Sequence, residues 1–159
     1  MTDTLTLIEN IAGGTAADTL TGSNGDNVLS GNAGNDVLSG GLGAGKTTLA
    51  RAILAALGHA GEVPSPTFTI IETYDSPTLR VPVVHADFYR LDDPSELAEI
   101  GLDEYRDGAV LLAEWPDHAG GFAHEPGCLS IMLEPVGESG EGGRIAIARG
   151  GADWVGRMP

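Results

Sequence analysis

Residues 40–47 read Gly-Gly-Leu-Gly-Ala-Gly-Lys-Thr, a complete G-x-x-x-x-G-K-T, and no other stretch of the 159 residues limits the fold as tightly. Glycines at these positions let a backbone loop wrap its N–H groups around a phosphate. A helix starting directly behind the loop points the positive end of its dipole at the same spot. Thr47 to Leu57 (TTLARAILAAL), rich in Ala and Leu and stopped by Gly58, has the composition of that helix. Lys46 is the only lysine in the chain, and it stands where the motif requires a cation. The bland alternative is a glycine turn that merely precedes a helix, which leaves the position of that lysine to chance.

Downstream of Gly45 the pattern alternates between helix and strand, the mark of an α/β domain. Thr67 to Tyr74 and Arg80 to Phe88 are β-branched and aromatic, with Pro82 marking an edge or a strand start. Asp93-Pro94 opens a short acidic helix that runs to Ile100. Ala109 to Ala113 is wholly apolar and predicts a central buried strand. Leu129 to Leu133 and Arg144 to Ala148 predict two late strands joined by a Gly/Glu loop. The expected fold is a P-loop NTPase three-layer α/β sandwich with a mostly parallel sheet, occupying residues 40–159.

Residues 1–39 have a different texture. Ten of the 24 glycines fall in the first 45 residues, and from Gly13 the chain repeats every nine: GGTAADTLT, GSNGDNVLS, GNAGNDVLS. This resembles the calcium-binding RTX nonapeptide, whose Gly/Asp loops supply oxygen ligands and whose apolar stretches form rungs of a parallel β-roll. The resemblance makes Asp18, Asp26 and Asp36 candidate Ca²⁺ ligands. The acid shifts from sixth to fifth position in the middle repeat, and Ala16 stands where glycine belongs. A Gly/Asp-rich flexible segment accounts for the composition equally well. Ahead of the repeats, MTDTLTLIEN has the pattern of a first strand.

Eight Lys+Arg against 23 Asp+Glu give a formal net charge of −15, unsuited to gripping a phosphate backbone unaided. The single cysteine, Cys128, excludes an internal disulfide and a cysteine-based zinc cage. No apolar run reaches the roughly 18 residues of a membrane span. The start, Met-Thr-Asp-Thr, lacks the features of a signal peptide, so the expected compartment is the cytoplasm.

A phosphate loop alone selects no reaction; the acids around it matter next. Glu114 closes the apolar run AVLLA, the arrangement of a Walker-B carboxylate, and Asp87 closes VPVVHA in the same way. An acid at a strand end is common in any α/β protein, and Glu114 by itself fits either reading. Two of them reinforce each other, because ligands of such sheets bind beyond the carboxyl ends of the strands. His59, His118, His124 and Cys128 show no ligand spacing.

Four motifs in order, GLGAGKTTLARAIL, Ser65-Pro66-Thr67-Phe68, HADFYRL and Glu114-Trp115-Pro116-Asp117, resemble the TsaE (YjeE) family, small bacterial ATPases of tRNA threonylcarbamoyladenosine synthesis. The likeness covers about residues 36–159. It implies ATP and Mg²⁺ as ligands and work alongside the TsaD and TsaB proteins, with tRNA met only through that complex. By matching position it places Gly41, Leu42, Gly43, Ala44, Gly45, Lys46, Thr47, Thr48, Thr67 and Trp115 at the nucleotide. It makes Asp87 and Glu114 the catalytic acids, with Thr47, Asp87 and Glu114 on Mg²⁺. Ser65 to Phe68 resembles a switch-like loop, and Tyr89 and Trp115 would transmit nucleotide state.

The chain departs from the family at two places. Gly41 stands where the family usually has an acid, which bears on the hydrolysis rate. The nonapeptides replace the family's first helix and shorten the strand before the loop to two apolar residues, Val37 and Leu38. Two other functions compete: a calcium-binding RTX-like module fused to an inactive P-loop domain, and a small-molecule or polynucleotide kinase. The kinase would want a lid of arginines that eight scattered basic residues do not supply.

Overall fold

The structure, a computed structural model, describes residues 4–8, 10–11, 19–22, 28–29, 36–136 and 143–155, with side chains from Val37 onward. Short strands come first: β1 (Thr4–Ile8), β2 (Asn10–Ile11), β3 (Thr19–Gly22), β4 (Val28–Leu29) and β5 (Asp36–Ser39). Helix α1 (Lys46–Leu57), β6 (Ile71–Tyr74), β7 (Val83–Asp87), and the short helices α2 (Glu96–Ile100) and α3 (Leu102–Tyr105) follow. The chain continues through β8 (Val110–Glu114), a 3₁₀ turn at Pro116–Ala119, β9 (Leu129–Pro135) and β10 (Arg144–Gly150), ending in a 3₁₀ turn at Ala152–Trp154.

Eight of these strands form one sheet in the order β1-β3-β10-β9-β5-β8-β7-β6, and β2 pairs separately with β4. The run β9-β5-β8-β7 is parallel throughout, with β5 inside it. Four residues suffice for β5 because both neighbours shield it: Leu38 is fully buried on one face and Val37 is buried on the other. The same period-two alternation divides Val83 from Val84 and Leu112 from Leu111 between the two faces. Each face therefore carries its own core, which is the three-layer arrangement.

On one face α1 packs Leu49, Ala50, Ile53 and Leu54 against Leu38, Leu112 and Leu129. The 3-then-1 spacing of those residues is one stripe of a 3.6-residue helix, and each buried leucine or isoleucine contributes about 1.5–3 kcal/mol. On the other face Phe88, Leu91 and Phe122 join Leu102 of α3, with Phe88 and Phe122 ring centroids 5.7 Å apart. Arg106, which caps α3, makes a two-pronged ion pair with Glu125 that ties this layer together.

One expectation changes. The strand predicted from Thr67 begins only at Ile71, because residues 67–70 are turned: the Ile70 N–H donates to the Pro66 carbonyl, and Ile70 is forced to φ 68°. In the N-terminal segment β3 pairs parallel with β1 and antiparallel with β10, and β4 pairs parallel with β2, while β5 lies between β9 and β8 in the main sheet. Asp18 and Asp26 lie outside the described residues, and of Asp36 only the backbone, in β5, is described.

Candidate active site

The loop Gly40–Gly45 joins the carboxyl end of β5 to α1. Gly40, at φ 141°, runs so close to β9 that a Cβ would sit 2.4 Å from the Leu133 carbonyl oxygen. Gly45, the N-cap of α1, is left-handed at φ 100°, which turns the chain directly into the helix. No side chain caps α1 and no acid lies in its first turn, so its positive end remains available to an anion.

The strand ends bring the acids to the same place. Asp87 and Glu114 are register partners on parallel neighbours β7 and β8, and both are buried, at 3% and 2% exposure. Glu114 accepts from the Thr47 hydroxyl at 3.2 Å through Oε2, and its Oε1 lies 2.9 Å from His85 Nε2. His85 is itself wholly buried, with no partner for Nδ1 among the described residues. Asp87 accepts from the Thr67 hydroxyl at 2.6 Å and from the Tyr89 backbone N–H at 2.9 Å. The Ser65 and Thr67 hydroxyls are 2.9 Å apart, so the turned segment that replaced the expected strand delivers its polar side chains to Asp87.

Lys46 lies between these groups. Its ammonium donates to the Gly40 and Gly41 carbonyls at 2.9 and 3.1 Å and stands 4.1 Å from the centre of the Trp115 ring. Burial pushes its pKa below the usual lysine value, and the Glu114 and Asp87 carboxylates pull it partly back. Trp115 is held over it in a left-handed conformation, φ 55°, and packs on Tyr89 with 5.0 Å between ring centroids. His118 closes that aromatic group, 5.9 Å from Trp115, with its Nδ1 on the Leu91 carbonyl.

Together these residues wall a cleft of about 340 Å³. Of the sequence-predicted residues, Leu42, Gly43, Gly45, Lys46, Thr47, Thr48, Thr67, Asp87, Glu114 and Trp115 line it, joined by Ser65 and Tyr89. Gly41 contributes its carbonyl to Lys46, and Ala44 turns its methyl into the core at 3% exposure. Two contributors were not legible in the sequence: His118, which shows no ligand spacing, and Arg144, which bonds to the loop from 100 residues away.

A cleft with an open helix N-terminus, a buried lysine and two strand-end carboxylates, set at the parallel centre of a doubly covered sheet, defines the class as a mixed α/β protein with its candidate site beyond the carboxyl ends of the parallel strands. Residues 7–141 match the family model described as threonylcarbamoyl adenosine biosynthesis protein TsaE. The chain belongs to the TsaE family. It is 42% identical over 85 residues to the tRNA threonylcarbamoyladenosine biosynthesis protein TsaE of Haemophilus influenzae, covering 53% of this chain and 52% of the relative. It is 49% identical over 75 residues to the Bacillus subtilis protein of the same description, covering 46% and 45%. The chain thus spans about half the length of the curated relatives it matches. A crystal structure of Bacillus subtilis YdiB superposes with a TM-score of 0.55 at 30% identity, over 74% of this chain and 69% of that one.

Proposed function

We propose that the chain binds Mg-ATP in this cleft and hydrolyses it slowly, as a cytoplasmic partner of the TsaD–TsaB threonylcarbamoyl transferase in tRNA threonylcarbamoyladenosine synthesis. Membership of the family supports the pathway. The contact that carries the chemistry is the Thr47 hydroxyl on Glu114, 67 residues away in sequence, beside the in-register Asp87.

The donor set fits magnesium. Thr47, Asp87 and Glu114 offer hard oxygens only, and among the described residues no cluster of three or more His, Cys, Asp or Glu forms a closed cage. One or two carboxylates plus substrate oxygens and water is the ligation magnesium favours. When bound, the ion would neutralise charge on the transferring phosphoryl group.

The chain's own residues supply the rest. Backbone N–H groups at the start of α1 and the Lys46 ammonium bind the phosphate chain; to reach the terminal phosphates, Lys46 must exchange its Gly40 and Gly41 carbonyls for phosphate oxygens. Asp87, steadied by Thr67 and Tyr89, and Glu114, steadied by His85, orient water and hold its proton. The ring of Trp115 shields the lysine from solvent.

Reconstitution with TsaD and TsaB tests the reading. Turnover should rise when both partners are present, and Glu114→Gln should abolish it while ATP still binds. Absence of hydrolysis by the complete, folded assembly would overturn the proposal.

A further inference from the structure

Arg144 begins β10, beyond residue 141 where the match to the family ends. Its guanidinium reaches back to the phosphate loop: Nε donates to the Ala44 carbonyl at 3.1 Å and Nη2 to the Gly43 carbonyl at 3.1 Å. Nη1 donates to the Gly143 carbonyl at 2.8 Å, which fixes the plane of the fork. No described peptide bond is cis, and in a planar trans peptide the N–H points opposite to the C=O. Drawing the Gly43 and Ala44 carbonyls outward therefore turns the N–H groups of Ala44 and Gly45 the other way. The Ala44 N–H is taken up by the Gly41 carbonyl at 3.1 Å, closing the turn of the loop, and the Gly45 N–H, opposite the Ala44 carbonyl across their shared peptide, points away from Arg144.

We infer that Arg144 is a positioning residue that sets the peptide orientation of the phosphate loop for an anionic ligand. It does so from a strand that sequence proximity would never associate with the loop. The inference rests on the nucleotide reading above. Geometry and not charge is the operative property: a lysine keeps the positive charge but lacks the planar fork that serves two carbonyls at once.

The test compares Mg-ATP titrations of the full chain as wild type, Arg144→Lys and Arg144→Met, with a melting curve for each. Both substitutions should weaken ATP about tenfold, the scale of one lost charge-assisted hydrogen bond, and lysine should not rescue. ATP bound by Arg144→Lys within about twofold of wild type would overturn the inference and leave the nucleotide reading intact. A folded wild type that binds no ATP would overturn the nucleotide reading itself, and this inference with it. Should both variants fail to fold, the Arg144 Nε–H resonance of the ¹⁵N-labelled wild type decides. Slow solvent exchange and a shift on adding ATP support the inference; rapid exchange untouched by ATP overturns it.

Discussion

Lys46 is stabilised by neighbours that do not fully compensate its burial: desolvation is the largest influence on its pKa and lowers it. Lys46→Met should therefore melt no lower than wild type while losing ATP binding, a stability gain bought with function. The folded-state pKa lies below the unfolded value of 10.5, so the unfolded chain holds more protons between the two. Wild type should thus gain stability relative to Lys46→Met as pH rises through that interval. Melting curves of both proteins between pH 7 and 10 measure this directly, and a widening deficit of wild type would contradict it.

Neighbouring glycines separate by the same reasoning. A Cβ at Gly40 meets the Leu133 backbone, whereas a Cβ at Gly41 meets nothing within 4 Å among the described residues, and φ of Gly41 is not positive. Gly40→Ala should cost about 2–4 kcal/mol by chemical denaturation. Gly41→Asp, restoring the acid usual in the family, should fold with unchanged stability and turn ATP over faster. A loss of stability in Gly41→Asp would show that the loop geometry is wrong.

At the scale of elements, the segment from Ser65 to Ile70 links the loop region to β7. Thr67 holds Asp87 through its side chain, and the Ile70 carbonyl accepts the Asp87 N–H at 2.9 Å. Thr67→Val keeps the shape and removes the hydroxyl donor, so it should lower hydrolysis at least tenfold while costing about 1–2 kcal/mol of stability. Helix α1 buries an apolar stripe against the sheet, and Leu54→Ala, at a fully buried position in it, should cost about 2–5 kcal/mol in urea unfolding.

The elements that local pattern revealed are those whose stability is local. Helix α1 carried its own Ala/Leu stripe and glycine stop, and β8 its unbroken apolar run, so both were legible to within a residue. Thr67 to Tyr74 looked like one strand because propensity cannot see that a hydroxyl at Thr67 has a buried carboxylate to bond. Helix α3, of four residues, had no room for a periodic signal. The site was legible where a motif marked it, at the loop and the two strand ends. Arg144 was not, since nothing in a strand's opening residue announces a carbonyl 100 positions earlier.

At the scale of the whole molecule, the charge of −15 sits beside a cleft for which an anionic ligand is proposed. The two are compatible because the loop would act at contact range, through N–H groups and one lysine, while the surface field is screened within about 8 Å at physiological salt. The same field disfavours tRNA: the chain alone should not retard tRNA in a gel at 150 mM salt, and retardation would contradict the reading that tRNA is met through TsaD and TsaB. Among the described residues no helix is long and apolar enough to cross a membrane.

Everything proposed for this chain depends on whether residues 40–47 hold a nucleotide. Calorimetric titration of Mg-ATP into wild type and into Lys46→Ala, each verified as folded by its melting curve, is the direct measurement. The account predicts saturable, magnesium-dependent binding to wild type and its loss in Lys46→Ala. A folded wild type that gives no heat and no rise in melting temperature with Mg-ATP would contradict it.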